Sequence, residues 1–257
     1  MIFFRLATAL LVLSSTPGQL HAADAMDASV MIEKVVNMRL SNGFEARMQI
    51  EVRNADHRIL PPFKLAVIGE SSLKQQRLLL RGIAPAKLRD IKLTVEATTE
   101  KALKALQSTA SGTTTVDPFV PLFDSGLVPW DLMAPWWRWP EQHTIGHDAV
   151  DDHACTLIRS FTNTPAGAVS AVISCIDTDT ALAWRTQLFD KQHKLLRTIT
   201  VKRAMRTSTG KMAAKKLSIE QPGINSSKIT IYSGDEHYRI LPDTFRLPSH
   251  NTVTPHE

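Results

Sequence analysis

The sequence lacks most of the motifs by which enzymes are recognised. Its 257 residues contain no Gly-x-Ser-x-Gly nucleophile motif, no glycine-rich phosphate-binding loop and no His-Glu-x-x-His zinc motif. Beyond residue 22, no stretch approaches the roughly 18 consecutive apolar residues that indicate a membrane-spanning helix. There is no internal repeat, and no cluster of basic residues of the kind that binds nucleic acid. These absences favour a soluble, non-enzymatic protein that has no nucleic-acid partner.

Residues 1–22 have the layout of a secretory signal peptide. Arg5 supplies a positive charge, an apolar run extends from Leu6 to Leu13, and a polar stretch follows. We predict cleavage after Ala22 and export to the periplasm, and the alternative is a retained N-terminal anchor. No cysteine follows the cleavage site, so there is no lipoprotein signal. The mature chain keeps 29 basic and 25 acidic side chains, a mild positive excess that fits both anionic lipid and plain solubility.

The two cysteines lie in a predicted four-stranded antiparallel meander that extends from His153 to Arg203. Cys155 and Cys175 are each ten residues from Pro165, which lies in a turn of suitable composition. A tight hairpin would set the two cysteines opposite each other. Because an exported chain enters an oxidising compartment, we expect a disulfide, and two buried free thiols are the alternative.

The rest of the chain also alternates between apolar and polar residues. Residues 44–53 alternate without error, and the mature chain begins with an amphipathic helix over residues 30–38. We predict further strands over residues 63–68, 76–81, 91–96, 213–220 and 228–233. A short helix is predicted over residues 100–107 and a flexible linker over residues 108–115, while residues 243–247 close the fold. About ten strands in sequence order favour one strongly curved antiparallel sheet.

Residues 119–140 differ from the rest, because they hold four of the five tryptophans and four prolines. The prolines exclude a long helix or an inner strand. We predict short helical turns that lay an aromatic surface across the mouth or the interior of the sheet. The alternative is an irregular connection whose tryptophans fill the core.

Several short motifs, taken in order, resemble the LolA-like family of outer-membrane lipoprotein-sorting proteins, in its periplasmic branch. The resemblance covers residues 119–247 well and residues 25–110 in outline. It rests on the segment Leu122 to Leu132, the stretch Gly146 to Cys155 with Leu157, Ile176-Asp177 with Thr178-Asp179-Thr180, Phe189-Asp190 with Lys194-Leu195-Leu196-Arg197, and Ile240 to Phe245.

The resemblance implies a mainly β, α+β fold: a half-open β-barrel over residues 23–248 with short lid helices, followed by a flexible tail over residues 249–257. It implies a periplasmic carrier that holds the acyl chains of a lipid or lipoprotein in an apolar cavity, needs no cofactor and acts as a monomer. An inner- or outer-membrane protein is a possible partner. The alternative is a non-transporting interaction or sensor module of the same fold. The expected cavity residues are Phe44, Met48, Ile50, Trp130, Leu182, Trp184, Leu188, Leu195 and Ile199.

Three enzymatic or metal-binding alternatives remain open from the residues. Leu122 to Gly126 is similar to the Asp-Ser-Gly loop of aspartic proteases, although no second copy is present and a homodimer would have to supply it. A cysteine nucleophile at Cys155 would use His153. A metal site would draw on six side chains within eleven residues, although a solvated loop is the simpler interpretation. These six are His143, His147, Asp148, Asp151, Asp152 and His153.

Overall fold

The alternating segments form the strands of one sheet in the computed structural model, which describes residues 27–98 and 103–247. Within these ranges the sheet has thirteen strands, all paired antiparallel, and it is not closed into a barrel. The predicted fold, a mainly β half-open barrel with short helices, is confirmed. The strands are β1 (Ser41–Asn54), β2 (Phe63–Ser71), β3 (Gln75–Ala84), β4 (Lys92–Thr98), β5 (Lys104–Thr109), β6 (Gly112–Val116), β7 (Glu141–Val150), β8 (His153–Ala166), β9 (Val169–Ile176), β10 (Ala183–Phe189), β11 (Leu195–Arg206), β12 (Met212–Gln221) and β13 (Asn225–Asp235).

The order of the strands explains why one connection must cross the open side of the sheet. Strands β1 and β13 pair with each other at the centre, which leaves β6 and β7 at the two edges. These edge strands follow one another in the chain, so residues 117–140 run from one edge to the other. This covering segment contains helix α2 (Pro129–Met133) and 3₁₀ turns at Leu122–Asp124 and Pro135–Arg138. The short helical turns predicted here are therefore confirmed.

Helix α1 (Ala28–Arg39) precedes β1 and joins the covering segment on the same face of the sheet. Asp27 caps its first turn by accepting a hydrogen bond from the Ser29 amide. Its buried side chains, among them Met31 and Val35, pack against Trp130. The face of the sheet that carries α1 and the covering segment is called the inner face below.

Two apolar clusters fill the space between the inner face and its cover. The first cluster joins β1–β5 and β12–β13 to Leu127 and Met133 of the covering segment. The second joins β8–β10 to α1 and to three tryptophans of the covering segment. Burial of this apolar surface from water is the main favourable term that holds the cover on the sheet.

A third, smaller cluster surrounds the predicted disulfide, which the structure confirms. Cys155 and Cys175 are bonded with their Cα atoms 5.2 Å apart, and Trp184 packs beside them. The predicted direct opposition of the two cysteines is wrong. Leu157 is the residue opposite Cys175, because the register shifts between Phe161 and Ala166 before the turn. The disulfide therefore joins diagonal positions of the hairpin.

Other local predictions also differ from the structure. The predicted helix over residues 100–107 is a strand where it is described, since β5 begins at Lys104 and pairs with β4. The predicted linker over residues 108–115 is the hairpin between β5 and β6. The polar stretch after Pro140 is strand β7, and residues 241–246 form turns.

Two further predictions, the signal peptide over residues 1–22 and the tail over residues 249–257, lie outside the described residues. In the part of the chain that the structure describes, no helix is long and apolar enough to cross a membrane.

Candidate functional site

The covering segment fills the middle of the inner face with tightly packed aromatic rings. Trp130 is only 1% exposed and lies at the centre of the group. Its ring centroid is 5.3 Å from that of Trp136 and 5.4 Å from that of Phe119, spacings typical of favourable aromatic pairs. These side chains, together with α1, occupy the space that an empty half-barrel would offer to a ligand.

Hydrogen bonds fix the covering segment to the elements around it. On the α1 side, the Arg39 guanidinium donates to the backbone oxygens of Leu132 and Met133, at 2.9 and 3.4 Å. On the sheet, the buried Ser227 hydroxyl of β13 accepts the Gly126 amide at 3.0 Å. Near the edge strand β7, the Gln142 side chain donates to two carbonyl oxygens of the 3₁₀ turn and the residue after it. The cover is thus attached at several separate points.

The strongest polar attachment is a buried ion pair between the cover and the sheet. Arg197 lies on the inner face of β11, opposite Leu188, and its Nη2 donates to Oδ1 of Asp131 in α2 at 2.7 Å. Both residues are 7% exposed. Burial raises the pKa of the Asp131 carboxyl to about 6, although the Arg197 charge opposes the rise. The free-energy cost of removing both charges from water offsets much of their attraction. The pair therefore contributes more to the position of the cover on the sheet than to the stability of the fold.

The raised pKa of Asp131 predicts a pH-dependent stability. Because the pKa is about 6 in the folded state against an ordinary 3.8, the contribution is fully present below pH 3.8 and is lost as the pH rises through 6. The wild type should therefore lose about 3 kcal/mol relative to Asp131→Asn between pH 4 and pH 8, as an upper estimate from the shift. Urea unfolding of both proteins across this range measures the difference.

The wild type must be compared with Asp131→Asn because other carboxyl groups, whose pKa is lowered, change the stability in the opposite direction as the pH rises. Hydrogen bonds from the Ala149 amide and from Arg185 lower the pKa of Asp148, for example. Such groups contribute equally to the wild type and to the variant. Parallel stability curves for the two proteins would contradict the assignment of a raised pKa to Asp131.

An open cavity of about 780 Å³ remains at one end of the sheet, and we call it the end cavity. Four parts of the chain form its walls: the junction between α1 and β1, the hairpin between β11 and β12, the end of β13, and residues 236–240. Its apolar lining comes from Met38, Leu40, Phe44, Ala46, Met205, Ala213, Ala214, Ile231 and Ile240.

One wall of the end cavity is a strap formed by residues 236–247, which leaves β13 and crosses the start of β1. The strap lies so close to β1 that a Cβ atom on residue 43 would overlap the Tyr238 carbonyl oxygen, so glycine is required there. Further along, the Arg77 guanidinium lies 4.5 Å from the centroid of the Phe245 ring. At its start, the Glu236 carboxylate accepts hydrogen bonds from the Ser208 hydroxyl and the Thr209 amide.

The structure distributes the nine expected cavity residues over several places. Phe44 alone among them lines the end cavity, where it also packs against the first cluster. Met48 and Ile50 are buried in the first cluster, Trp130 and Leu188 in the second, and Ile199 contacts both. These five residues therefore share the inner face, but in its filled part.

The remaining three expected residues lie elsewhere, beside two irregularities in the strands. One register shift lies between Ala183 and Arg185, and Trp184 belongs with Leu182 to the disulfide cluster. There the His153 ring stacks on the Trp184 ring, with the two ring centroids 3.6 Å apart. A second shift lies between Leu188 and Phe189, and Leu195, the partner of Phe189, lines a separate pocket with Arg53 and Glu220.

The residues of the proposed metal site lie on and beside an edge strand. His143 and His147 belong to strand β7, and Asp148 pairs with Arg185. Among the described residues, no group of three or more His, Cys, Asp or Glu side chains is placed to hold a metal ion. Cys155 is bonded to Cys175 and is therefore no free nucleophile.

Sequence reasoning missed the buried ion pair and most of the end cavity. A signal for the ion pair was present, since Arg197 shares the alternation of Ile199 and Val201 and so interrupts an apolar face with a charge. The lining of the end cavity had no comparable signal. It is assembled from the ends of segments that are far apart in the chain.

No family model matches the sequence, and no curated protein matches it either. Solved structures do match. A DUF1329 family protein from Desulfovibrio piger has a TM-score of 0.76 at 14% identity, with 85% of this chain and 97% of that chain covered. A putative outer membrane lipoprotein-sorting protein domain from Vibrio parahaemolyticus has a TM-score of 0.74 at 10% identity, covering 84% and 94%.

A LolA superfamily protein from Nitrosomonas europaea is also similar, with a TM-score of 0.67 at 14% identity over 85% of this chain and 96% of that one. The resemblance noted in the sequence is therefore confirmed as a likeness of fold. At these identities the likeness is one of fold alone.

Proposed function

From a LolA-like fold with an open end cavity, we propose that this protein binds an acyl chain of a lipid or lipoprotein and carries it through the periplasm. It acts by binding, without catalysis and without a cofactor, after removal of the first 22 residues. The observation that carries the proposal is the end cavity itself, with its volume of about 780 Å³ and its apolar lining.

The physical requirement for carrying an acyl chain is to hide its methylene groups from water. Each buried methylene contributes about 0.8 kcal/mol, so a long chain gains several kcal/mol from an apolar cavity. Cavities of roughly 300–1,000 Å³ are the size that binds small molecules in proteins. The end cavity falls in this range, and its apolar side chains supply the necessary surface.

The proposal assigns the ligand to the end of the sheet, since aromatic side chains occupy the middle. Trp130 and Trp136 are buried in the second cluster, and several hydrogen bonds hold their segment. An acyl chain therefore enters between the strap and the tip of the hairpin between β11 and β12. In this proposal the covering segment supports the cavity from below.

A blocking variant tests the proposal. We expect Ala46→Phe to fill the end cavity and to reduce binding of a neutral C16 lipid, palmitoyl glycerol, at least tenfold, because Ala46 lines the cavity. The matched control Ala149→Phe adds the same ring at an exposed position of β7 and should bind like the wild type. Native mass spectrometry measures the bound fraction, and lipid extraction of the purified protein identifies any native ligand. A wild type that binds no C16 lipid would refute the carrier function.

The second candidate is an interaction or sensor module that docks a membrane protein. The observation that favours it is the filling of the inner face by the protein's own side chains. Because three tryptophans of the covering segment are buried, such docking would have to use other surfaces. A purified protein free of lipid that forms a stoichiometric complex with a defined membrane protein would support this candidate over the carrier.

A further inference from the structure

We infer that the end cavity takes a single-chain amphiphile with an anionic head, and that Lys211 is the residue that selects the head. This inference rests on the proposed function, since it names the class of ligand for the same cavity. It goes further because it places the head group as well as the chain.

Lys211 lies in the wall of the cavity and has no acidic partner among the described residues. Its Nζ donates to the backbone oxygens of Met38 and Leu40, both at 3.2 Å, at the end of α1. An ammonium group carries three N–H donors, so one remains for a ligand. Within the described residues Lys211 forms no ion pair. Its charge is therefore only partly satisfied, by carbonyl dipoles.

Arg39 adds a second cation of the same kind to the lining of the cavity. Its guanidinium donates to two backbone carbonyl oxygens of the covering segment, and it too forms no ion pair within residues 27–98 and 103–247. Both cations thus lie at the C-terminal end of α1, Arg39 as its last residue and Lys211 through its contacts with the Met38 and Leu40 carbonyl oxygens, where the helix favours positive charge.

The carboxylates that line the cavity are already engaged by donors. Glu45 lies 3.3 Å from Arg47 and 3.9 Å from Arg81, so two cations balance it. Asp235 accepts the His237 amide. Glu236 accepts hydrogen bonds from the hairpin between β11 and β12. Asp235 and Glu236 thus hold neutral donors but no cation within the described residues, so an anionic head has to lie beside Lys211 and Arg39, at the end of α1.

A carboxylate and a phosphate would satisfy the same donors, so the test uses both. We compare four C16 amphiphiles with equal chains by titration calorimetry: palmitate, palmitoyl lysophosphatidic acid, palmitoyl glycerol and hexadecyltrimethylammonium. For the wild type we expect at least one anionic ligand to bind roughly tenfold or more tighter than the neutral one, the scale of a hydrogen bond to a charged group. The preference should shrink as the salt concentration rises.

Lys211→Met should abolish the anionic preference and leave the affinity for palmitoyl glycerol within about twofold, whereas Lys211→Arg should retain the preference because it keeps the charge. Lys216→Met, at an exposed position of β12, the strand that begins directly after Lys211, is the matched control and should keep the wild-type preference. The neutral ligand separates head-group selection from a merely structural role of Lys211 at the end of α1.

Two results would overturn the inference. In the first, the wild type binds anionic and neutral chains equally well, which leaves the carrier function intact. In the second, Lys211→Met weakens all ligands by the same factor, which assigns Lys211 to the support of α1. Failure of all four amphiphiles to bind would overturn the carrier function together with the inference.

Discussion

We expect Arg197→Met to lower the free energy of unfolding by about 3–5 kcal/mol at pH 8, the scale for breaking a buried ion pair on one side. The reason is the position of Asp131, which is 7% exposed and has Arg197 as its charged partner. Without Arg197, the folded state must either bury an unpaired carboxylate or protonate it. Urea unfolding at pH 8 measures the loss.

The two halves of the pair should differ in their response to pH. A carboxyl group can become neutral, so the loss in Arg197→Met should shrink toward pH 5, where Asp131 binds a proton. A guanidinium stays charged at every accessible pH, and Asp131→Val lacks the carboxyl whose raised pKa stabilises the wild type at low pH, so its loss of stability should instead be larger at pH 5 than at pH 8. Equal pH dependence of both variants would contradict the assignment of the titration to Asp131.

Two controls separate burial from charge pairing in general. The double variant Asp131→Val with Arg197→Met replaces the pair by apolar side chains and should regain most of the loss, because such replacements are often neutral or stabilising. Arg47→Met removes a surface pair, in which the arginine side chain is 50% exposed, and should change stability by less than about 1 kcal/mol. A large loss in Arg47→Met would show that the pH 8 result does not depend on burial.

The strands of the sheet could be predicted where one face is apolar and the other polar. Residues 44–53 alternate without error, and they form the central strand β1. The residues Lys104 to Gln107 are strong helix formers, yet they belong to strand β5 because they pair with β4. Their local preference was overridden by partners 8 to 14 residues away in the chain, which no single-sequence pattern encodes.

Edge strands were harder to predict, because water lies on more than one side of them. Strand β7 carries His143, Thr144 and His147 and shows little apolar alternation, so its sequence is similar to that of a loop. Strand β6 is rich in threonine, a β-branched residue, and this was the available signal for it.

The candidate site could be predicted in its chemistry but not in its location. Apolar strand faces and a tryptophan-rich segment correctly indicated a large apolar interior. Whether that interior is empty depends on how the covering segment packs, and Trp130 fills it. Trp184 and Leu195 both lie beside register shifts, the first in the disulfide cluster and the second in a separate pocket, and a shift of one residue has no signature in the alternation of a single strand.

Trp130→Ala should show whether the covering segment is part of the core. We expect a loss of about 3–5 kcal/mol in the free energy of unfolding, the range for truncating a buried tryptophan. The side chain is 1% exposed and contacts the rings of Phe119, Trp136 and Trp139. Because α1 packs on the same cluster, its amides should exchange with solvent markedly faster in the variant.

Trp184→Ala is the matched control, since this tryptophan is also buried but belongs to the disulfide cluster. Its free energy of unfolding should fall by a comparable amount. The amides of α1, compared with those of the sheet, should exchange no faster than they do in the wild type. If the cover instead moves aside as a loosely held lid, Trp130→Ala will cost less than about 1 kcal/mol and α1 will exchange as in the wild type. In that case the whole inner face would become available to a ligand, and the end cavity would be only its entrance.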